Sequence, residues 1–354
     1  MRRNIALLLG VSLFAWGQAP RPGPPRIKPP KKEKETETQT LPLPPEPPVA
    51  VIAETGKLAF HISPLSAKGL LTQQVHDALK ALDRVNGGGT FVKLRAFVAG
   101  TGDMRRVATI VAEDFSDKKM PLPAVTTVQV GALPMEGAQV VIESISAEKK
   151  TQNPNGLAFF SAQRASDARK AITQLATGAT SAGAQILEAT CFLSALDEAE
   201  GARAAALAAF PAAAVNFVQL TRLAVEREAA CEGIGRLQQP RKAPVEFLDA
   251  GLGVMVTRPK LVFTGAQMAF GDQEQALRLA YGRLGRALET MKASYADSLV
   301  MSVYSLNRTV ADKAAALGPE FLGRSAHPAG STQVVEGLPS LDATVAIELM
   351  AAGP

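Results

Sequence analysis

Apolar residues along the chain fall into three successive groups, in which short strand-like runs alternate with longer helical stretches. In the first group, residues 71–85 carry apolar side chains at helical spacing, and a run of three glycines after Asn86 ends that stretch. Residues 91–99 form a nearly continuous apolar run, which is typical of a buried strand. Residues 104–115 are helical again. This pattern predicts two helices, each preceded by strands.

Two more pairs of strands complete the first group. Residues 49–53 and 57–62 are short apolar runs separated by Glu54-Thr55-Gly56, a spacing that predicts a β-hairpin. Residues 123–130 and 140–145 are apolar runs after the second helix and predict the last two strands. The predicted order of elements is therefore ββαβαββ.

The second and third groups repeat this order. The second group predicts strands and helices, with a shortened opening hairpin, at residues 156–163, 167–182, 185–196, 198–210, 215–220 and 227–234. The third group predicts an opening hairpin of residues 254–256 with 261–267, followed by elements at residues 273–293, 299–306, 310–321, 332–335 and 344–350. The helices are amphipathic, so both helices of a group are expected on one side of its sheet. The other sheet face is also apolar and needs a cover, for which the same faces of the other two groups are the obvious partners.

One motif closes each group and marks the three groups as repeats. It reads Pro-Ala-Val-Thr-Thr-Val-Gln-Val-Gly-Ala-Leu-Pro at residues 123–134 and Pro-Ala-Gly-Ser-Thr-Gln-Val-Val-Glu-Gly-Leu-Pro at residues 328–339, with a shorter version at residues 215–223. The motif leucine precedes Glu143, Glu232 and Glu348 of the last strands by 10, 9 and 10 residues. A period near 100 residues suits a small domain rather than a solenoid repeat.

These pieces resemble the Rid family (reactive intermediate deaminases, also called the YjgF or endoribonuclease L-PSP family) over residues 49–354. The family's second strand is matched by the Leu-x-Phe pieces that begin at Leu58, Leu157 and Leu261, and its P-A-R-S-A-V-Q-V and V-E-I-E pieces are matched by the closing motif. Family members are homotrimers with sheets at the centre, helices outside and ligand clefts between subunits. The resemblance implies an α+β, chorismate-mutase-like fold with three tandem ββαβαββ domains, at residues 49–149, 153–239 and 244–354. It also implies a monomeric chain that forms an intramolecular pseudo-trimer.

The residues that carry the family's chemistry are missing from the matching positions. The arginine that grips a substrate carboxylate is replaced in the three repeats by Val125, Val215 (or Ala213, if Pro211 is aligned instead) and Gly330. The first glutamate of V-E-I-E, which helps place the hydrolytic water, is replaced by Val141, Ala230 and Ala346. The family's serine is matched by Ile62, Ser161 and Gly265, so only the second repeat keeps it.

Several polar residues remain as candidates for clefts between the repeats. They are Ser161, Gln163, Gln267, Thr126, Asn216, Ser331, Glu143, Glu232 and Glu348. The three glutamates have two interpretations, a carboxylate that lines a cleft or a structural residue near the threefold axis, and the structural one is favoured because buried carboxylates need partners. The cations that would replace the lost arginine from another direction are Arg95, Arg164 and Arg222.

The leading functional hypothesis is a non-catalytic Rid-like protein that binds a small apolar or neutral ligand or a peptide, or serves as a scaffold. The alternative is hydrolysis of an imine or enamine, such as a 2-imino acid, to a carbonyl compound and ammonia with Ser161. A weaker alternative is endoribonuclease activity, which rests on the family association alone. No cofactor and no metal are expected, because no nucleotide-binding or zinc motif is found and the three histidines are scattered. Cys191 and Cys231 form either one disulfide or two buried thiols.

The first 48 residues have a different character. Residues 1–19 combine Arg2 and Arg3 with a short apolar run and small residues, which predicts a secretory signal peptide and no membrane insertion after its cleavage. Residues 20–48 carry eleven prolines and predict a disordered linker. The leader and linker hold eight basic and four acidic residues, so they account for +4 of the chain's net +5. The near-neutral body argues against nucleic-acid binding, and the expected location is periplasmic or extracellular.

Overall fold

The structure is a computed structural model that describes Gly23 and residues 43–100, 102–223, 227–323 and 326–354. The predicted signal peptide and most of the predicted linker lie outside these residues, so both stay predictions. None of the helices in the described part of the chain is long and apolar enough to cross a membrane.

The first repeat follows the order that the sequence predicts. Its elements are β1 (Ala50–Glu54), β2 (Leu58–Ile62), α1 (Leu71–Val85), β3 (Thr90–Val98), α2 (Arg106–Asp117), β4 (Ala124–Gln129) and β5 (Val140–Ala147). The strand order of its sheet is β2–β5–β3–β4, in which β4 is parallel to β3 and the other neighbours are antiparallel. Helix α1 ends where predicted because Gly87 and Gly88 adopt positive φ angles of 58° and 82°.

The second and third repeats have the same topology. The second contains β6 (Leu157–Ala165), α3 (Ala168–Ser181), β7 (Ala184–Leu193), α4 (Ala199–Ala209), β8 (Ala214–Gln219) and β9 (Ala229–Leu237). The third contains β10 (Val245–Phe247), β11 (Gly253–Val256), β12 (Lys260–Thr264), β13 (Gln267–Phe270), α5 (Glu274–Thr290), β14 (Ser298–Ser305), α6 (Arg308–Leu322), β15 (Ala329–Val334) and β16 (Ala343–Ala352). Their sheets contain the orders β6–β9–β7–β8 and β12–β16–β14–β15, again with the last pair parallel. The predicted α+β fold is confirmed, with three units that share a βαβαββ core and differ in the strands that precede their first helix.

The two predicted hairpins are wrong. Strand β1 pairs antiparallel with β12 of the third repeat, and Ala50 lies opposite Thr264. Strand β11 pairs with β6 of the second repeat, and Gly253 lies opposite Phe160. The short runs that join β1 to β2 and β11 to β12 carry the chain from one sheet to the next instead of folding it back. Each of these two opening strands therefore ties neighbouring repeats together.

The second repeat has no such strand to give to the first sheet. Only nine residues separate β5 from β6, and Gln152 and Asn153 in this connection donate backbone hydrogen bonds to Gly56 at 2.7 and 2.9 Å. The connection is too short to form another strand along β2, since its residues are needed to reach the second sheet. As a result, β2 is an edge strand of a four-stranded sheet, whereas β6 and β12 are flanked on both sides.

The core has two kinds of apolar cluster. Each sheet packs against its own two helices, and these three clusters are centred on Leu79, Leu175 and Leu284. Two more clusters combine residues of all three sheets, one around Phe97, Phe192 and Tyr304 and the other around Leu58, Leu157 and Leu261. The sheets therefore face one another at the centre and the helices lie outside. Burying both faces of every sheet is the main apolar contribution to folding.

Cys191 and Cys231 form a disulfide between neighbouring strands of the second sheet. They lie directly opposite each other on β7 and β9, with Cα atoms 4.1 Å apart, and both are fully buried. Of the two possibilities that the sequence left open, the structure has the bridge. The bond closes a loop of 40 residues and so restricts the unfolded chain.

Because the three inner sheet faces cover one another within one chain, we expect the full chain to be a monomer. Light scattering should give the mass of one chain over a wide concentration range. A stable trimer of chains would contradict this expectation, since it would mean that the inner faces need partners from other molecules.

Candidate site at the centre of the three sheets

The strand registers place the three repeats in correspondence residue by residue. Arg95, Thr190 and Ser302 are equivalent, because each lies opposite the last-strand glutamate of its own repeat, Glu143, Glu232 or Glu348. On the parallel side the same three residues lie opposite Thr126, Asn216 and Ser331. The nine side chains form a polar layer between the two apolar clusters that the sheets share.

One guanidinium group serves all three glutamates. Arg95 donates to Glu143 at 2.6 Å through Nε and to Glu232 at 2.7 Å through Nη1, and its Nη1 lies 3.9 Å from an oxygen of Glu348. Nη1 also donates to the Tyr304 hydroxyl at 3.0 Å, and that hydroxyl donates to Glu348 at 3.3 Å. The planar guanidinium group can do this because its donors point in several fixed directions.

A second buried cation, Lys93, lies next to the first. Its ammonium group donates to Glu348 at 2.5 Å, to the Thr126 hydroxyl at 2.7 Å and to the carbonyl of Thr264 at 2.6 Å. The Thr126 hydroxyl in turn donates to Glu348. All three donors of the ammonium group are therefore satisfied, which is what a buried lysine requires.

The glutamate of the first repeat is held by the second repeat. Its Oε1 accepts hydrogen bonds from Thr190 at 2.5 Å and from Asn216 at 2.7 Å.

Of the predicted cleft residues, six lie in the central polar layer: Thr126, Asn216, Ser331, Glu143, Glu232 and Glu348. These six are buried, apart from partial exposure of Glu232, and the glutamates have protein partners, as the structural interpretation expects.

Glu188 lies beside this polar layer and is less well paired than the three glutamates in it. It lies one step along β7 from the layer of Arg95, is 5% exposed, and its Oε2 has no hydrogen-bond partner among the described residues. Burial raises the pKa of its carboxyl well above the usual value, and the negative charges of Glu143 and Glu232 raise it further. Glu188 is equivalent to Lys93, so one strand position holds opposite charges in two repeats.

Glu348 and Tyr304 respond to the same surroundings in different ways. Burial alone would raise the pKa of the Glu348 carboxyl, but attraction by Lys93 and Arg95 outweighs burial and lowers it. Burial raises the pKa of the Tyr304 phenol well above its usual value, so Tyr304 stays protonated and can donate to Glu348. The centre is thus a network of fixed charges and donors.

The strand registers also show where the residues lie that replace the reactive side chains of the Rid-family motif. Val125, Val215 and Gly330 lie at equivalent places, one residue beyond Ala124, Ala214 and Ala329. This supports the alignment on Val215 rather than on Ala213. Val141, Ala230 and Ala346 lie opposite Phe97, Phe192 and Tyr304 and are buried in an apolar cluster. No described residue at these positions can bind a carboxylate through its side chain or transfer a proton.

The remaining predicted residues lie at the contact of the second and third repeats or elsewhere. The Ser161 hydroxyl donates to the carbonyl of Gly251 at 2.5 Å and accepts from the Gly330 backbone at 3.0 Å, so it joins the two repeats. Gln163 donates to the Ser161 carbonyl at 2.9 Å. Gln267 is half-buried in β13, opposite Ile347, and is not part of this contact.

Beside this contact lies a groove of about 390 Å³, which we call the 2–3 groove. Its apolar lining comes from both repeats and includes Phe192, Leu220 and Val334. Two arginines, Arg164 and Arg308, also line it. Arg164 pairs with Glu228 and donates to the carbonyl of Thr332 across the contact, while Arg308 pairs with Asp312 at 3.1 Å and is largely exposed. The volume is in the range of small-molecule sites.

Sequence reasoning named Arg95 as a candidate to replace the lost cation but missed Lys93 and Glu188. Arg95 lines a small cavity between the second and third repeats, but its donors are bound to the glutamates of the centre. A signal was present, because Lys93 and Arg95 alternate with apolar residues in β3 and so share one face of a strand that is otherwise buried. Glu188 is likewise a charged residue in β7, a strand whose residues are mostly buried.

Several solved structures of YjgF- and Rid-family proteins are similar to a part of this chain. No protein-family model and no curated protein matches the sequence significantly. Among solved structures, a YjgF-family protein from Mycobacterium tuberculosis is 24% identical with a TM-score of 0.25, and the match covers 28% of this chain and 83% of that one. A Rid-family protein from Yersinia pestis is 20% identical with a TM-score of 0.26, over 28% and 84% of the two chains. RidA from an Antarctic Psychrobacter is 17% identical with a TM-score of 0.24, over 26% and 80%. Each match spans about one repeat, and the threefold arrangement rests on the strand order described above.

Replacing Arg95 by methionine should destabilise the protein by about 3–5 kcal/mol, because it leaves buried carboxylates without their shared partner. Urea unfolding followed by circular dichroism would measure the loss. The matched control is Arg164→Met, which removes a partly exposed ion pair and should cost about 1 kcal/mol or less. Equal losses in the two variants would contradict a special role for the central guanidinium.

Replacing Glu188 by glutamine should stabilise the protein at pH 8 and low salt, by about 1–3 kcal/mol, since it removes the cost of a buried unsatisfied carboxylate. A carboxyl whose pKa is raised on folding contributes stability below its unfolded pKa, near 4.5, and that contribution is lost as the pH rises toward the folded value. The gain should therefore shrink as the pH falls toward 4.

Glu348→Gln is the matched control for this pH series. The pKa of Glu348 is lowered on folding, so its contribution is present above the unfolded pKa and is lost as the pH falls. This variant should be destabilised at pH 8, with a smaller deficit at pH 4. Melting temperatures at both pH values would show the opposite signs, and the same sign for both variants would refute the assignment.

Proposed function

We propose that the protein is a non-catalytic Rid-like binding module whose ligand site is the 2–3 groove. The observation that carries the proposal is the loss of both reactive groups from all three repeats at positions fixed by strand register: Val125, Val215 and Gly330 for the cation, and Val141, Ala230 and Ala346 for the carboxylate. The carboxylate that the described residues bring to the groove, Glu228, is paired with Arg164, so hydrolysis lacks a free acid or base for its proton-transfer step.

The central charged residues do not replace the missing groups. Arg95 and Lys93 make short hydrogen bonds to Glu143, Glu232 and Glu348. Moving either cation toward a ligand would leave buried carboxylates without partners, which is strongly unfavourable. Ser161, the one serine that matches the family, has its hydroxyl engaged by two backbone groups.

The lining of the 2–3 groove indicates the ligand class. Phe192, Leu220 and Val334 offer an apolar surface, and Ser194 and Gln333 offer polar groups beside it. Arg164 and Arg308 are each paired with a carboxylate, Glu228 and Asp312, so they add no net charge, but their guanidinium groups can still donate to a ligand carboxylate. These features favour a small molecule with an apolar body that is neutral or carries one carboxylate. We propose export to the periplasm or the extracellular space as the setting, on the basis of the leader sequence.

The full chain, incubated with freshly generated 2-imino acids, should release ammonia no faster than buffer does. A homotrimeric Rid protein that has the arginine and both glutamates is the positive control. Turnover above buffer that disappears in Ser161→Ala would overturn the non-catalytic assignment and favour the deaminase alternative.

Binding is tested in parallel with two probes, benzoate as an apolar carboxylate and cyclohexanol as its neutral counterpart. At least one should raise the melting temperature in a saturable manner. Leu220→Asp, which places a charge in the apolar lining, should abolish the shift, and Leu70→Asp at an exposed site in the first repeat should not. If neither probe binds the wild type, or if the shift survives Leu220→Asp, the groove is not the site.

A further inference from the structure

The three repeats differ in charge at one strand position, which is buried in the first two repeats and half-buried in the third. Lys93, Glu188 and Val300 are equivalent, because they lie opposite Ala124, Ala214 and Ala329 on the parallel neighbour strands. They also lie opposite Ile145, Ile234 and Met350 on the antiparallel side. One position therefore holds a cation, an acid and an apolar residue in turn.

In the first repeat this position forms a complete cation site with the third repeat. The Lys93 ammonium group contacts Glu348, the Thr126 hydroxyl and the Thr264 carbonyl at 2.5–2.7 Å. The site thus consists of a carboxylate from one repeat, a hydroxyl from the other and a backbone carbonyl. At this contact between two repeats, a buried monovalent cation, the Lys93 ammonium group, is therefore bound by three oxygen atoms.

The contact between the second and third repeats has the same residue types without the lysine. Val300, Ser331 and Glu232 take the places of Lys93, Thr126 and Glu348. These three residues line a cavity of about 40 Å³. A cavity of this size has room for a small ion or a few water molecules. It reaches the surface at Gly330, which is exposed and has no side chain to close the opening.

A buried carboxylate without a partner lines the same cavity. Glu188 is 5% exposed, and its Oε2 has no hydrogen-bond partner among the described residues. Hydroxyl groups of Thr190 and Ser302 also line the cavity. Arg95 lines it too and binds Glu232, so the cavity offers one carboxylate already paired with a guanidinium group, the unpaired carboxylate of Glu188 and several neutral oxygen ligands within one small space.

The net charge of the buried residues around this cavity also favours a bound cation. Among the described residues, the four glutamates of the centre, Glu143, Glu188, Glu232 and Glu348, have two cationic neighbours, Lys93 and Arg95. The group carries a net charge of −2 when all six residues are ionised, and Arg95 is already bound to Glu143 and Glu232. Uncompensated charge in a buried site is unfavourable and is relieved in one of two ways, by protonation, which the raised pKa of Glu188 favours, or by a bound counter-ion.

We propose that this cavity binds a monovalent cation of the size of ammonium or potassium, in the place that the Lys93 ammonium group takes between the third and first repeats. Glu188 and Glu232 would supply charge, and the hydroxyl groups of Thr190, Ser302 and Ser331 would complete the shell. The described residues include no group of three or more acidic, histidine or cysteine side chains that could hold a metal ion, so the Lys93 ammonium group, rather than a metal centre, is the precedent for this ion.

The first experiment compares melting temperatures of the full chain in choline, sodium, potassium and ammonium chloride at equal ionic strength. Potassium or ammonium should raise the melting temperature by about 3 °C relative to choline, with saturation. A bound ¹⁵N-ammonium ion should also give its own NMR signal, protected from solvent exchange and displaced by potassium. Equal melting temperatures in all four salts, together with no protected signal, would overturn the proposal.

Two substitutions at Val300 separate charge from volume. Val300→Lys supplies a tethered ammonium group, so it should raise the melting temperature in choline chloride and remove the response to potassium. Val300→Met has similar length without charge and should do neither. If methionine stabilises as much as lysine does, the cavity lacks only volume and the proposal fails.

Glu188→Gln tests the ligand set. It should weaken the response to potassium and the protected ammonium signal, whereas Glu246→Gln, at an exposed position of the edge strand β10 in the same sheet, should leave both unchanged. A response that persists unaltered in Glu188→Gln would place the ion elsewhere. These results do not depend on the 2–3 groove, so they stand or fall separately from the proposed function.

Discussion

The structure depends on the sharing of one guanidinium group by three carboxylates at its centre. Arg95 contacts Glu143 and Glu232 at hydrogen-bond distance and lies near Glu348, so all three repeats meet at one side chain. Three identical subunits around a threefold axis would bring three arginines to this point, which would repel one another and would not fit. A single central arginine is possible only because the repeats belong to one chain and have diverged.

Divergence at the centre also makes the three contacts between repeats unequal. Lys93 completes one of them, Glu188 places an acid in the next, and Val300 leaves a cavity in the third. The opening strands add a second inequality, since β1 and β11 each bridge two repeats whereas the connection before β6 is too short to form a strand.

Backbone hydrogen bonds from the closing motif also join the repeats, as in the bond that the Gly131 N–H donates to the carbonyl of Gln219 at 2.8 Å. Gly131 is required there, because a Cβ atom would lie 2.5 Å from the backbone of Thr221.

The local sequence pattern predicted the helices and strands correctly. It did not predict which strands pair with each other. The helices and the order of strands follow from periodicity, and α1 has the bounds that the pattern predicts. The hairpin of β1 with β2 was wrong because an apolar run next to a turn shows that a strand forms and not which strand lies beside it. The missing chemistry was found by matching motif positions, which the strand registers support. Glu188 was missed because its importance comes from Glu143 and Glu232, which reach it only after folding.

The polar centre has a further physical consequence, which concerns register. The inner faces are otherwise apolar, and apolar faces alone would tolerate sliding of one sheet past another by two residues, since side chains of similar size would replace one another. A two-residue slip of β3 would move Arg95 away from the layer of the glutamates and bring Phe97 among three buried carboxylates. The cost of several unpaired buried charges exceeds any gain in apolar packing. We therefore infer that the glutamates act to fix the registration of the three sheets, which gives them a reason to persist in a chain that has lost the reactive groups around them.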